Sequence, residues 1–349
     1  MGERYQKPTQ IVPRAELNAA LEHALSNHFC ETVSIRTLKR RVSDYCSSYL
    51  IEELDLKLDN GQRLQLIFKD LSPSALISTA RNVKAKFLYE PRREIECYRD
   101  LLASHELGTA KYYGAAVDLE RSRYWLFLER VSPSLLWQMG DFEIWKRVAG
   151  WLAGMHTYLS ERLAGKGTIQ PEHVLKYDEL YYRRWIDRAK CYIRLGDSST
   201  ERAAAKAIDW IWQRYDGVVE RLRQLPVTLI HGEFYPANVM VDTERGNLRI
   251  CPVDWEMAGL GPGLMDLSAL SSGGWSTEQK ESIAFAYLHA LPEVPAIWKD
   301  RARFLADLDH CRLHQAIVLL GWSEKWEAPP EHAQNWLAEA LRIAECLRL

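Results

Sequence analysis

The chain has 349 residues, 47% hydrophobic and 26% charged, which excludes intrinsic disorder and collagen-like repeats and leaves length for two domains with a large core. Forty-five basic residues against 47 acidic ones give a net charge of −2, without the basic excess of a dedicated nucleic-acid binder. The balance divides unevenly: residues 1–131 hold 20 Lys and Arg against 18 Asp and Glu, and residues 132–349 hold 25 against 29.

Residues 14–30 place Leu17, Ala20, Leu21, Ala24 and Leu25 at helical spacing and predict a first helix. The period then changes. SSYLIEELDLKL and QRLQLIFKDL flank a DNG turn and predict a β-hairpin. PRREIECYRDLLA (91–103) predicts a helix opened by Pro91, with Ile95, Tyr98, Leu101 and Leu102 on one face. AKYYGAAVDLERSRYWLFLERV predicts two further strands, so the first 130 or so residues form a strand-rich part. IWKRVAGWLAGMHTYL then carries a wide apolar stripe, and segments 178–195 and 201–225 continue as helices. VTLIHGEFYPANVMV and LRICPVDWEMAG interrupt them with short β-rich runs joined by turns, before helices around 276–291, 300–320 and 331–348. The composition shift near residue 131 sets the expected boundary, giving 1–131 and 132–349.

Seven dispersed cysteines without a CxxC pair predict free thiols in a reducing compartment. The opening MGERYQKPTQ lacks the apolar core of a secretory signal, and no apolar run approaches the ~20 residues needed to span a bilayer. A cytoplasmic protein without membrane or nucleic-acid partners is expected. The oligomeric state is not encoded legibly.

The densest polar constellation is His231-Gly232-Glu233-Phe234-Tyr235-Pro236-Ala237-Asn238, held between two apolar runs, with Asp254 sixteen residues past Asn238. Glu233, Asn238 and Asp254 supply oxygen donors that suit a hard Mg²⁺ ion, which takes one or two carboxylates and leaves positions for substrate phosphates. Phosphoryl transfer needs such a set: an acid–base group near the attacking hydroxyl and ligands for a charge-neutralising ion.

HGEFYPAN followed by VDWE resembles the catalytic loop and metal-binding motif of the aminoglycoside phosphotransferase superfamily, relatives of the protein kinases. The resemblance implies an α+β, bilobal protein-kinase-like fold, with a small β-rich lobe for nucleotide (1–131) and a larger helical lobe for catalysis and acceptor (132–349). It also implies ATP or GTP as donor and Mg²⁺ on Asn238 and Asp254. Glu233 would orient or deprotonate the acceptor hydroxyl, and Lys69, anchored by Glu94 or by the runner-up Glu96, would hold the donor phosphates. Glu129 and Val131 would offer backbone groups to the base. Asp266 would brace the catalytic loop and cap the next helix, and His156 would be either a core or a functional histidine. Two departures stand out: Glu233 replaces the usual Asp, and the phosphate-covering hairpin has no glycine, leaving Ser43, Ser47 and Ser48 as donors. The Lys39-Arg40-Arg41 run either attracts nucleotide or is a solvated face. Helices 178–194 and 307–326, rich in Tyr, Trp, Arg and His and carrying Trp185, Trp322 and Trp326, form either core or an amphipathic wall for the acceptor. A small hydroxylated acceptor is the first reading. A Ser/Thr kinase for peptides, a non-catalytic nucleotide-binding scaffold and a hydrolase using Glu233 and Asp254 are the alternatives.

Overall fold

The computed structural model describes residues 12–43, 46, 48–103, 107–131, 134–164, 171–193, 199–243, 248–322 and 334–349. The chain divides into two compact units, Met1–Pro133 and Ser134–Leu349.

The first unit opens with α1 (Arg14–Phe29), followed by β1 (Ile35–Val42), β2 (Ile51–Leu58) and β3 (Arg63–Asp70). Two short helices, α2 (Ser78–Val83) and α3 (Arg92–Glu96), precede β4 (Tyr112–Asp118) and β5 (Arg123–Glu129). The five strands form one antiparallel sheet in the order β1-β2-β3-β5-β4. Period-two alternation assigns its faces. Leu54, Leu56 and Leu58 of β2 and Leu64, Leu66 and Phe68 of β3 are buried in one cluster with Leu17, Leu21 and Leu25 of α1. Alternation turns Lys69 to the other face, where it is also buried.

The contact between α1 and β4 is close. Gly114 has φ 145°, and a Cβ there would lie 2.7 Å from Cβ of Ala24. The helix predicted over 91–103 is regular only through Glu96; Cys97–Leu102 then form a π-helical turn, with Cys97, Tyr98, Leu101 and Leu102 buried. The wider turn buries two adjacent apolar pairs together, which a narrow helical stripe does not do. The Lys39-Arg40-Arg41 run is largely neutralised across the sheet, since Arg40 grips Glu52 in a two-pronged pair at 2.7 and 2.6 Å and Arg41 pairs with Glu53.

The second unit is built on α4 (Phe142–Ala164), whose Ile144, Val148, Leu152, Met155 and Leu159 are buried. Next come β6 (Leu175–Lys176), α5 (Glu179–Ile193), α6 (Ser199–Arg223), β7 (Val227–Ile230), β8 (Val239–Asp242), β9 (Arg249–Pro252) and β10 (Gly259–Pro262). The unit closes with α7 (Leu264–Leu270), α8 (Thr277–Ala290), α9 (Arg301–Leu320) and α10 (Trp336–Cys346). A three-stranded sheet runs β6-β10-β7, and β8 pairs antiparallel with β9. The sequence reading did not delimit β1, α2, β6, β10 and α7; β6 and β10 are two and four residues long, too short for a periodic signal. Among the described residues no helix is long and apolar enough to cross a membrane.

The Gly114 contact leaves no room for a methyl group. Gly114→Ala is expected to lower the unfolding free energy of the full chain by about 1–3 kcal/mol. Urea unfolding followed by tryptophan fluorescence checks this, since Trp125 sits in the same cluster.

Candidate active site

The His231–Asn238 segment leaves β7 and enters β8 with a single 3₁₀ turn, Pro236–Asn238, as its regular structure, so the shape of the rest depends on who satisfies its backbone groups. Asp266, fully buried in the first turn of α7, does most of this. Its carboxylate accepts from the backbone N–H of His231 at 2.7 Å, of Gly232 at 2.8 Å, and from Nε2 of His156 at 3.1 Å. His156 is in turn held by the Tyr287 hydroxyl at 3.0 Å, so it is a buried partner of Asp266. Bracing of the loop by Asp266 is thus present, but the capping is not: the α7 N-cap is Gly263, with no side-chain cap. The carboxylate has its lone pairs committed to the loop and His156. Gly232 takes φ 85°, and a Cβ there would lie 2.3 Å from both the Met257 carbonyl oxygen and the Tyr177 hydroxyl. Only glycine fits this corner.

His231 ties the loop to the other motif. Its Nε2 donates to the Val253 carbonyl at 2.9 Å, and its Nδ1 accepts from the Glu233 N–H at 3.3 Å. The Glu233 carbonyl accepts from the Tyr235 N–H at 2.7 Å and from the Asn238 amide at 3.0 Å. The Asn238 carbonyl accepts from the Val253 N–H at 2.9 Å. Glu233, Asn238 and Asp254 therefore sit on one cross-linked piece of backbone. Asp254 is non-glycine at φ 69°, ψ 62°, a costly left-handed conformation that persists where its surroundings hold it. Buried Trp255, anchored by its indole N–H on the Pro252 carbonyl at 3.2 Å, follows it.

These residues fit a divalent cation in kind. The Asn238 amide nitrogen is spent on the Glu233 carbonyl, which leaves its oxygen as the ligand-type atom, and Asp254 supplies a carboxylate of the right kind. Among the described residues no group of three or more His, Cys, Asp or Glu could hold a metal on its own. Such a pair fits Mg²⁺, which keeps water and phosphate oxygens in its shell, better than an all-protein cage.

A small pocket of about 30 Å³ opens beside Glu233. Tyr177, Tyr181, Tyr235 and Trp322 give it aromatic walls, and His314 and Gln315 of α9 contribute its polar side. Burial, and next the Glu233 charge, push the Tyr235 phenol above its ordinary range, so it stays a neutral hydroxyl. Burial pushes the His314 imidazole down to about 3. Of the three tryptophans proposed from sequence, Trp322 lines the pocket, Trp185 is core stacked on it at 5.6 Å, and Trp326 lies outside the described residues. Sequence reasoning did not single out His314 and Gln315; the signal available was a polar pair inside the apolar run LHQAIVLL.

In the first unit, Lys69 Nζ meets both oxygens of Glu94, at 2.7 and 2.6 Å, and both residues are buried. Glu96 is half-buried and is not the partner. Ser43 is buried, and its N–H is committed to the Ile51 carbonyl at 2.9 Å, so the backbone donor expected from it is already used. The Ser48 carbonyl accepts from the Ile77 N–H at 3.1 Å; Ser47 lies outside the described residues. At the end of β5, the Glu129 N–H is spent on the Lys111 carbonyl at 2.8 Å, and Val131 is buried.

A β-rich first unit with a buried Lys–Glu pair and a helical second unit with a braced Glu-Asn-Asp set define a protein-kinase-like phosphotransferase. Residues 89–296, more than half of the chain, match the family model described as "Phosphotransferase enzyme family" (APH), and the chain belongs to that family. Its fold is similar to that of a microcompartment-associated aminopropanol kinase, at 17% identity and a TM-score of 0.58, covering 89% of this chain and 92% of the other. Plasmodium vivax ethanolamine kinase is similar at 10% identity and 0.55, covering 98% and 90%. A variant of aminoglycoside 2′-phosphotransferase-IIIa, solved as a GDP complex, is similar at 13% identity and 0.54, covering 93% and 95%. Comparison with curated protein sequences found no match.

Two outcomes follow. Asp266→Asn puts an NH₂ group among three N–H donors, and is expected to destabilise the chain by about 3 kcal/mol. Calorimetry of the full chain reads this, and a melting temperature equal to wild type would mean that Asp266 does not brace the loop. His314 has a folded-state pKa below its ordinary 6.5, so the unfolded chain takes up the proton first. The stability it contributes is complete above about pH 6.5 and is lost as the pH falls toward 3. His314→Gln is therefore expected to lose less stability than wild type between pH 7 and 5, read from urea midpoints.

Proposed function

We propose that this enzyme transfers the γ-phosphoryl group of ATP or GTP, with Mg²⁺, to a hydroxyl of a small molecule such as an antibiotic, a sugar or another metabolite. The observation that carries the reading is the Glu233–Asn238–Asp254 set, cross-linked through His231 and held by buried Asp266. The similar structures are of proteins named for small acceptors, and one was solved with GDP.

In this reading the first unit serves the donor: Lys69, oriented by Glu94, contacts its phosphates, and the segment at Glu129–Val131 receives its base. Ser43 and Ser48 flank the phosphates through their side chains. The second unit serves the acceptor. The acceptor hydroxyl lies against Glu233, which takes its proton as the oxygen attacks Pγ; the new O–P bond forms as the bridging Pβ–O–Pγ bond breaks, and nucleoside diphosphate leaves. Asn238 and Asp254 would hold the ion, which when bound supplies charge neutralisation on the phosphates. One extra methylene places the Glu233 carboxylate about 1 Å farther out than an Asp would, and the loop positions the acceptor accordingly. The free cysteines fit a reducing cytoplasm.

Purified protein with Mg²⁺ is expected to gain thermal stability with ATP or GTP, and a screen of hydroxyl compounds to yield a mass gain of one phosphate. Glu233→Gln should remove turnover, by about 10²-fold or more, while nucleotide affinity stays near wild type. Asp254→Asn should weaken the Mg²⁺-dependent part of nucleotide binding. Unchanged turnover in the first variant, or unchanged metal dependence in the second, rejects the corresponding role.

A further inference from the structure

The pocket beside Glu233 has a polar side that the phosphotransfer reading leaves unused. His314 and Gln315, adjacent on α9, both line it and both are nine-tenths or more buried. Nε2 of His314 and Nε2 of Gln315 are buried and have no hydrogen-bond partner among the described residues. Buried polar atoms in native proteins are ordinarily paired, so two orphans on one pocket wall point to a partner that arrives from outside.

The direction of these groups can be worked out. The other imidazole nitrogen of His314, Nδ1, lies 2.7 Å from the Tyr215 hydroxyl. Burial holds that phenol well above its ordinary range, so it keeps its proton, and Nδ1 is the acceptor within its reach. Nδ1 therefore accepts, and the imidazole hydrogen sits on Nε2. The orphan on His314 is a donor, as is the amide nitrogen of Gln315. Neither carries charge, because the buried imidazole stays neutral through the physiological range. Among the described residues the lining contains no Lys or Arg, and Glu233 is its one carboxylate. The space of about 30 Å³ open to water-sized groups beside Glu233 has room for a small oxygen-bearing group.

We infer that this pocket selects a neutral acceptor with a second oxygen close to the reacting hydroxyl, a diol or small polyol, whose second oxygen accepts from His314 Nε2–H and the Gln315 amide. This rests on the proposed phosphotransferase reading and refines its acceptor. An ammonium group has no lone pair for two N–H donors, and a carboxylate would meet Glu233 in the same small space. The aromatic walls and Glu233 alone would favour a cation; the donor pair on α9 reverses that preference.

The test uses the full chain with Mg²⁺ and ATP or GTP against matched acceptors: glycerol and propane-1,2-diol, the amino alcohols 1-aminopropan-2-ol and ethanolamine, and propan-2-ol. The diols are expected to have kcat/KM on the order of a hundredfold or more above their amino and mono-hydroxyl counterparts, since a site built to hydrogen-bond an oxygen discriminates strongly against its loss. Gln315→Glu, which swaps a donor for a carboxylate, should shift that ratio toward the amino alcohols. His314→Phe should raise the diol KM while leaving Mg²⁺–nucleotide thermal shifts unchanged, and circular dichroism confirms that each variant is folded. Amino alcohols or propan-2-ol turned over as well as diols overturn the inference while phosphotransfer stands. Nucleotide binding with no diol phosphorylated overturns it as well. Absence of any Mg²⁺–nucleotide thermal shift overturns the phosphotransferase reading itself.

Discussion

Asp266 holds a carboxylate where no water reaches it, and three N–H groups from two other parts of the chain converge on it. A charge in that position is tolerable only while all of its donors are present. The geometry of the catalytic segment follows. With the His231 and Gly232 amides fixed, the Gly232 corner closes against the Met257 carbonyl and Tyr177, and His231 can reach Val253 with one nitrogen and the Glu233 amide with the other. Glu233 and Asn238 are thus fixed through their own backbone groups, and the Asn238–Val253 bond ties that stretch to the residue before Asp254.

The first unit shows the same economy at Lys69 and Glu94. Both are buried, and alternation along β3 puts the lysine on the face opposite the α1 cluster. A buried ion pair contributes little net stability compared with apolar residues of similar size. Removing either partner alone would leave the other charge buried and unpaired, so the two residues depend on each other. Arg40–Glu52, by contrast, lies on the α1 side of the sheet, and Arg40 also donates to the Val12 carbonyl at 2.7 Å, which knits the segment before α1 to the strands.

How much of this was legible in the sequence depended on distance along the chain. Glu233, Asn238 and Asp254 stand in two short motifs whose spacing is itself the signal, and Lys69 stands at the end of a well-marked strand. The Glu94 or Glu96 alternative needed the fold, because residues two apart on a helix point to nearly opposite sides, a little more than half a turn from each other. Asp266 was half read: its role in bracing the loop was legible from the motif, but not that it stands at the third position inside α7, with Gly263 at the N-cap. The helix that carries His314 and Gln315 was legible as a candidate pocket wall, but not those two residues on it, since which of its faces meets the Glu233 pocket is decided by packing. The π-helical turn after Glu96 was read as ordinary helix because its residues are apolar at both periods.

The closeness of α1 to the sheet bears on where the protein can be cut. The family match covers residues 89–296 and so begins after α1, three of the five strands and Lys69, and ends before α9. A fragment with those limits would keep β4 and β5 but lose the helix whose Leu17, Leu21 and Leu25 fill the apolar face against which Trp125 and Phe127 pack. It would also lose the wall that carries His314. The matched region is therefore not a unit of folding, and expression boundaries drawn from the match alone would leave the apolar face of β5 uncovered.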